Sequence, residues 1–283
     1  MTCFGDALAP HGSSIWLTDL ITLLEPFGLD SRLTRTSVFR LVRQGLLVAR
    51  RVGRRSYYTL SEHGRAVFDE ATRRIYASDA APWDGIWTWL IFPATLPVTA
   101  RRELELHGFA PLARAVWAHP HVDAAGLALL QRDLAGVPCV SLRAPPQPSP
   151  DAASLRALVS RAWDLSRLES GYVSLMRHFQ PISDALADSA AIDPALAFRV
   201  RTLLVHEYRR VLLRDPQLPD ELLPNGWPGR EAFQLCRSLY TAVLAPAERF
   251  LEQRVAGIAG PLPPADATLA ARFGGLNKRW SRS

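Results

Sequence analysis

Lysine is almost missing from this chain: of its 33 basic residues, Lys278 is the single lysine. A bias that strong follows genomic base composition, so only the positions of the arginines carry information. Cysteine is scarce too. Cys3, Cys139 and Cys236 are far apart and lack CxxC or Cys/His spacing. That excludes a disulfide scaffold or a zinc site and suits reduced thiols in a cytoplasmic protein. No apolar run is long enough to span a bilayer; the longest, near 87–92, is interrupted by threonine and proline, so no membrane partner is expected. The first residues lack a basic stretch followed by an apolar one, and no secretory leader is expected. GxGxxG, P-loop and GxSxG motifs are missing as well. His206-Glu207 begins like the zinc motif HExxH, but Arg210 takes the fifth position and the second imidazole is absent. We therefore expect no catalytic residues, no metal and no cofactor, and read the chain as a non-enzyme.

Charge is present, and it is focused. The formal net charge of the whole chain is +6, yet eight arginines face one acid between Asp30 and Tyr57. They are Arg32, Arg35, Arg40, Arg43, Arg50, Arg51, Arg54 and Arg55. Basic charge gathered on one small element is how a chain meets a polyanion. The local signals order that element. Ile15, Trp16 and Leu17 form a short apolar run, and Thr18 suits the N-cap of a helix ending near Gly28. Asp30 suits the cap of a second helix running to about Gln44, stopped by Gly45. In it Leu33, Ser37, Val38, Leu41 and Val42 are expected inward, leaving Arg32, Arg35, Thr36, Arg40 and Arg43 outside. Strand, turn and strand follow, with Gly53 in the turn and Tyr57 and Tyr58 as strand residues. Helix, turn, helix and basic hairpin is the winged helix-turn-helix order. The partner read from it is double-stranded DNA. Arg32, Arg35, Thr36 and Arg40 are the candidate groove contacts, Arg43 a further DNA-binding candidate on the same helix, and Arg50, Arg51, Arg54, Arg55 and Tyr57 the candidate wing contacts. The alternative is a solvated basic face on an ordinary small domain.

The runs LLEPFGLDSRLTRTSVFRLVRQGLL and VGRRSYYTLSEHG resemble the amino-terminal domain of PaaX-type repressors, which control phenylacetic acid degradation in bacteria. WDGIWTWLIFP, GFAPLARAVWAHP and HEYRRVLLRDPQLPDELLPNGWPG extend the resemblance, in collinear order, over nearly the whole chain. The family has a full helix ahead of the residues resembling Phe4-Gly5-Asp6, where only Met1 to Cys3 precede them in this sequence. The resemblance implies a homodimeric transcriptional repressor of a phenylacetate catabolic operon. It also implies an aryl-coenzyme A effector, phenylacetyl-coenzyme A in the family, that releases it from DNA.

The chain is long enough for two or three domains, and its pattern suggests an α+β, multidomain arrangement. Residues 1–77 form the DNA-binding domain, closed by a helix from about Glu62 to Tyr76, with a linker at 78–82. Residues 83–143 alternate strand, helix and strand in the order of a small ferredoxin-like sheet. The resemblance implies a similar fold, related to a CRISPR-associated nuclease. Here the first strand ends Leu90-Ile91-Phe92-Pro93, without the carboxylate such nucleases use, so this reads as a non-catalytic dimerisation and spacing module. Prolines 145, 146, 148 and 150 make a connector. An all-α domain is expected over 151–260, and a flexible tail over 261–283. Its expected helices are 154–170, 173–179 ending before Pro181, one opened by Asp193-Pro194 and running to about Arg214, and one from Arg230 to about Ala256.

Within it, Arg199, His206, Arg209 and Arg210 crowd a helix that also carries apolar residues. Guanidinium forks there could hold coenzyme A phosphates, with Trp163 and Tyr172 beside an aromatic ring. These six are the candidate effector residues. The alternative is structural: Glu207 and Asp215 pairing with Arg210 and Arg214, and the aromatics buried as core. A different class remains open, an aryl-coenzyme A-binding protein or thioester-handling enzyme with an incidental basic head.

Overall fold

The computed structural model describes residues 1–76, 83–122, 124–134, 136–146, 151–187 and 191–276, which fold as an α+β protein with small antiparallel sheets. In chain order the elements begin with β1 (Ser14–Trp16), α1 (Leu17–Leu24), α2 (Ser31–Arg43), β2 (Leu47–Val52), β3 (Arg55–Leu60) and α3 (Glu62–Tyr76). Then come β4 (Trp87–Ile91), α4 (Val98–Leu106), β5 (Ala110–Ala113), β6 (Val116–His119), α5 (Ala124–Asp133) and β7 (Val140–Ala144). The rest are α6 (Ala152–Ala162), α7 (Leu165–Ala187), α8 (Pro194–Leu212), α9 (Gly229–Arg254), β8 (Ala256–Gly257), β9 (Gly260–Pro261) and α10 (Ala267–Ala271). The expected linker at 78–82 and most of the proline connector lie outside the described residues.

Contacts gather the chain into two units. One is Met1–Asp79 with Leu175–Arg210 and Glu231–Ser283; the other is Ala80–Ser174 with Val211–Arg230. Both are discontinuous, unlike the consecutive stretches expected from sequence.

In the first unit, β1, β3 and β2 form a sheet in that order, with Trp16 opposite Tyr57 and Leu47 opposite Leu60. The run Ile15-Trp16-Leu17 is spent on β1, so α1 starts at Leu17 with Trp16 in the cap position, not at a Thr18 cap. Asp30 caps α2 as expected, its Oδ1 accepting the Leu33 N–H at 2.7 Å. Gly28 and Gly45 end their turns at φ of 74° and 70°, in the left-handed region where a side chain is strained. The buried face of α2 is Thr34, Val38 and Leu41; Leu33 is 51% exposed and Ser37 also faces out. The inward arc thus follows an i, i+4, i+7 stripe one residue round from the expected one.

Helices from the second half complete this unit. α9 buries Leu235, Leu239, Tyr240, Val243, Ala247, Phe250 and Leu251, a stripe at helical spacing. α7 runs through Pro181 rather than stopping before it, and a break at Trp163 divides α6 from α7 where one helix was expected. Burial of Leu175 and Phe179 outweighs the hydrogen bond that proline removes. Residues 261–276, expected within a loose tail, are ordered: β8 and β9 pair, α10 follows, and Arg272 and Phe273 are buried.

What draws them in is a carboxylate. Asp6 is 2% exposed. Arg201 Nε donates to its Oδ2 at 2.8 Å and Arg272 Nη1 to its Oδ1 at 3.0 Å; the Tyr76 and Tyr240 hydroxyls donate to Oδ1 at 2.6 and 3.0 Å. Arg201 also pairs with Glu248. His11 faces acceptors on both ring nitrogens, Glu248 Oε2 at 2.9 Å and the Pro263 carbonyl at 2.6 Å, which fits a ring held as imidazolium. Burial alone would raise the pKa of Asp6, but Arg201, Arg272 and the two hydroxyls reverse this and it is lowered. Glu248 is lowered too, burial being outweighed by His11 and Arg201. For His11 burial pulls down, and the contacts with Glu248 and Pro263 more than restore it, so its pKa is raised.

The signs set a pH window. The raised histidine contributes stability fully present below its unfolded value of about 6.5 and lost as pH rises through its folded value. The lowered carboxylates contribute above their unfolded values of about 4 and lose it as pH falls through their folded values. Thermal stability should therefore fall from slightly acidic toward alkaline pH, and a Tm series across that range should be flatter for His11→Gln. Identical profiles would remove the imidazolium from the network.

The second unit holds a four-stranded antiparallel sheet in the order β5-β6-β4-β7. β5 was not expected from the sequence. Leu90 and Trp117 join Ala100 and Leu104 of α4, Leu130 of α5 and Leu134 just beyond it in one core. Trp87 and Ala118 join Val159, Trp163, Leu168, Leu218 and Leu222 in another. Alternate residues along β4 and β6 therefore serve different cores, as the two-residue repeat of a strand requires. The late motif around DPQLPDELLPNGW acts here: Asp215 Oδ2 accepts the Tyr172 hydroxyl at 2.6 Å, and Leu218, Leu222 and Leu223 fill the core.

Candidate nucleic-acid interface

α2 and the β2–β3 hairpin display the basic run. Arg32, Arg35, Arg40 and Arg43 are exposed on α2, and Arg50, Arg51, Arg54 and Arg55 on the hairpin. Among the described residues no carboxylate lies at ion-pair distance from the first seven of these; Arg55 is the exception. Unpaired guanidiniums in water project their field outward, where fork-shaped donors suit phosphate oxygens or the O6 and N7 of guanine. Thr36 is also exposed, but its hydroxyl donates to the Arg32 carbonyl at 2.9 Å. An unforeseen member of this surface is Phe39, 64% exposed between the arginines.

The hairpin is built to stand out. After Leu47 every residue of β2 is exposed. Gly53 has φ of 60° and takes the first of the two turn positions between Val52 and Arg55, which a glycine fills without strain. Arg55, the first residue after the turn, ties the hairpin back to β1 and α1. Its guanidinium lies 4.1 Å from the Trp16 ring centroid, donates to Thr18 Oγ1 at 3.2 Å and lies 3.6 Å from Asp19 Oδ1. Tyr57, expected among the wing contacts, is placed elsewhere: it is 4% exposed, its hydroxyl is 2.7 Å from Ser14 Oγ and its ring packs edge-on against Trp16. Its position on the inner face of β3 gives it to the core.

The effector candidates separate. Trp163 and Tyr172 belong to the second unit, where both are buried; Trp163 Nε1 donates to the Gly108 carbonyl at 2.8 Å. They act as core there. Arg199, His206, Arg209 and Arg210 lie on α8 in the first unit. Arg210 pairs with Glu207 at 3.2 Å, and Arg199 is exposed. His206 and Arg209 converge on Thr2 Oγ1, each at 3.0 Å, and burial lowers the pKa of both. Beside them a cavity of about 40 Å³ is lined by Thr2, Val67, Phe68, Ala71, Val205 and Arg209. It is too small for a phenyl ring without opening. Among the described residues, Glu103, His107 and Asp133 form a group with metal-ligand spacing, with His107 Nε2 already 3.1 Å from Asp133 Oδ2.

These features describe an α+β protein that presents a basic helix and a basic hairpin on one stretch of chain. It belongs to the PaaX family. The family described as PaaX-like protein matches residues 1–64, and the PaaX-like protein C-terminal domain matches 163–253. Transcriptional repressor PaaX of Escherichia coli (strain K12) is 36% identical over 282 residues, 97% of this chain and 88% of that one. A solved structure, uncharacterized protein Rv0674 from Mycobacterium tuberculosis, is 28% identical, covers 82% of this chain and 90% of its own, and superposes with a TM-score of 0.48. No helix among the described residues is long and apolar enough to cross a membrane.

Proposed function

We propose that this chain is a cytoplasmic DNA-binding repressor of an aromatic-acid operon, that of phenylacetate, released from its operator by an aryl-coenzyme A such as phenylacetyl-coenzyme A. The observation that carries the reading is the set of exposed, unpaired arginines shared by α2 and the hairpin. In this reading residues 1–77 are a winged helix-turn-helix. α2 enters the major groove, whose width admits a helix, and Arg50, Arg51 and Arg54 at the wing meet the backbone, with Arg55 steadying it. The 83–143 sheet is the ferredoxin-like module, and a homodimer sets two reading heads on a two-fold operator. Membership of the family and the repressor named among its relatives support the regulatory role.

The effector arm rests on Arg209 and His206, with Arg199 and Arg210 nearby on α8 as further phosphate partners. Thr2 joins this pair to the segment leading into β1, and Val67, Phe68 and Ala71 bring α3 to the same cavity. An aryl group opening that cavity would bind one arrangement of these elements better than another, which is the condition for release from DNA.

The wing offers the plainest test. Arg50→Ala with Arg54→Ala should weaken binding about equally on all duplexes. The slope of log K against log salt should become shallower by about 0.9 for each phosphate that is no longer neutralised. Unchanged affinity and slope would remove the hairpin from the interface.

A further inference from the structure

We propose that Phe39 is a specificity-determining residue, reading thymine through its 5-methyl group in the major groove. The inference rests on the DNA-reading proposal and deepens it. With about 100° between successive residues, Arg32, Thr36, Phe39 and Arg43 share one outward arc of α2. It lies opposite the buried Thr34, Val38 and Leu41. Phe39 is 64% exposed, and an open hollow of about 330 Å³ runs beside it, lined by Thr36, Phe39, Arg40, Arg43 and Gln44. Among the described residues Phe39 is the one phenylalanine, tyrosine or tryptophan side chain left exposed, and a ring buries a large apolar area when a partner covers it.

The charge around it selects the cover. Arg35 and Arg43 stand one helical turn to either side of Phe39 and Arg40 follows it, none with a carboxylate at ion-pair distance among the described residues. A second copy of the same surface would bring like charges together, whereas a polyanion is drawn in. Of the polyanion's base edges in the major groove, the apolar feature is the thymine C5-methyl group, and apolar side chains including phenylalanine meet it. The arginines provide the attraction and the register, and the ring distinguishes a thymine from the other bases at the position it touches.

The test isolates the methyl group. The full-length protein is used to select sites from a random duplex pool, and each thymine of the selected site is replaced singly by deoxyuridine, which differs by that methyl alone. The wild type should lose roughly threefold to tenfold in affinity at one or two positions. Phe39→Ala should bind the thymine site more weakly by a similar factor and be indifferent to deoxyuridine there, while Phe39→Leu should keep most of the discrimination. Deoxyuridine without effect at every position, or an equal penalty in wild type and Phe39→Ala, overturns the assignment and leaves the DNA reader intact. An equal penalty combined with altered self-association of Phe39→Ala in sedimentation would make the ring a protein contact instead. A pool from which no sequence is enriched overturns the DNA-reading proposal and this one with it.

Discussion

Asp6→Asn should lower the melting temperature by on the order of 10 °C, or leave the chain insoluble. Removing one partner of a buried ion pair costs about 3–5 kcal/mol, because the other charge is left without compensation. For a chain of this size each kcal/mol moves Tm by roughly 2–4 °C. Arg201 keeps Glu248 as a second partner, but Asp6 is the one carboxylate at ion-pair distance from Arg272 among the described residues. Two buried hydroxyls, Tyr76 and Tyr240, lose a charged acceptor at the same time. Glu207→Gln is the contrast: its pair with Arg210 is exposed on both sides, where such bridges contribute about 0–1 kcal/mol. Thermal denaturation of the two variants beside wild type should give a large and a negligible shift. Comparable shifts would show that the Asp6 network does not hold the first unit together.

Arg32→Ala combined with Arg43→Ala should reduce binding to the selected site on the order of 100-fold. Both side chains are exposed on the outward arc of α2. A good bidentate base contact discriminates by about 1–3 kcal/mol, and tenfold in affinity is about 1.4 kcal/mol. The distinguishing sign is the pattern across sequences. Removing these two should narrow the gap between the selected site and random duplex, whereas removing Arg50 and Arg54 should lower both together. A uniform drop from the α2 pair would make α2 a backbone clamp and move base reading elsewhere.

The local grammar of the DNA-facing stretch is legible in sequence because each signal acts within a few residues. Asp30 accepts from Leu33 three residues on, Gly45 and Gly53 take the positive φ their turns require, and the hairpin register follows from its two-residue turn. The inward stripe of α2 departs by one residue from the expected one because Leu33 and Ser37 fit an apolar or small pattern nearly as well as Thr34 does. Long-range partners leave no such trace. Asp6 looks like any acid near a chain terminus, and Arg201 and Arg272 like two of 32 arginines; what buries them is an encounter across 195 and 266 positions. The same holds for residues 261–276, whose prolines suggest a loose end although Phe273 and Arg272 complete a core. Tyr57 carries a strand signal correctly, but facing depends on β1, a three-residue strand pairing from 43 positions away. The split of the effector candidates between two units is equally invisible, since aromatic residues on amphipathic helices look the same whether they line a site or fill a core.

The most direct measurement is fluorescence anisotropy of labelled duplex from upstream of the protein's own operon, titrated with full-length protein at fixed salt, with and without phenylacetyl-coenzyme A. A repressor of the proposed kind should bind at least about 1,000-fold tighter than to random duplex, a ratio of the size specific DNA readers show, and should let go when the thioester is added. Binding no tighter than to random duplex would contradict the DNA reader, and tight binding that ignores the thioester would contradict the release mechanism.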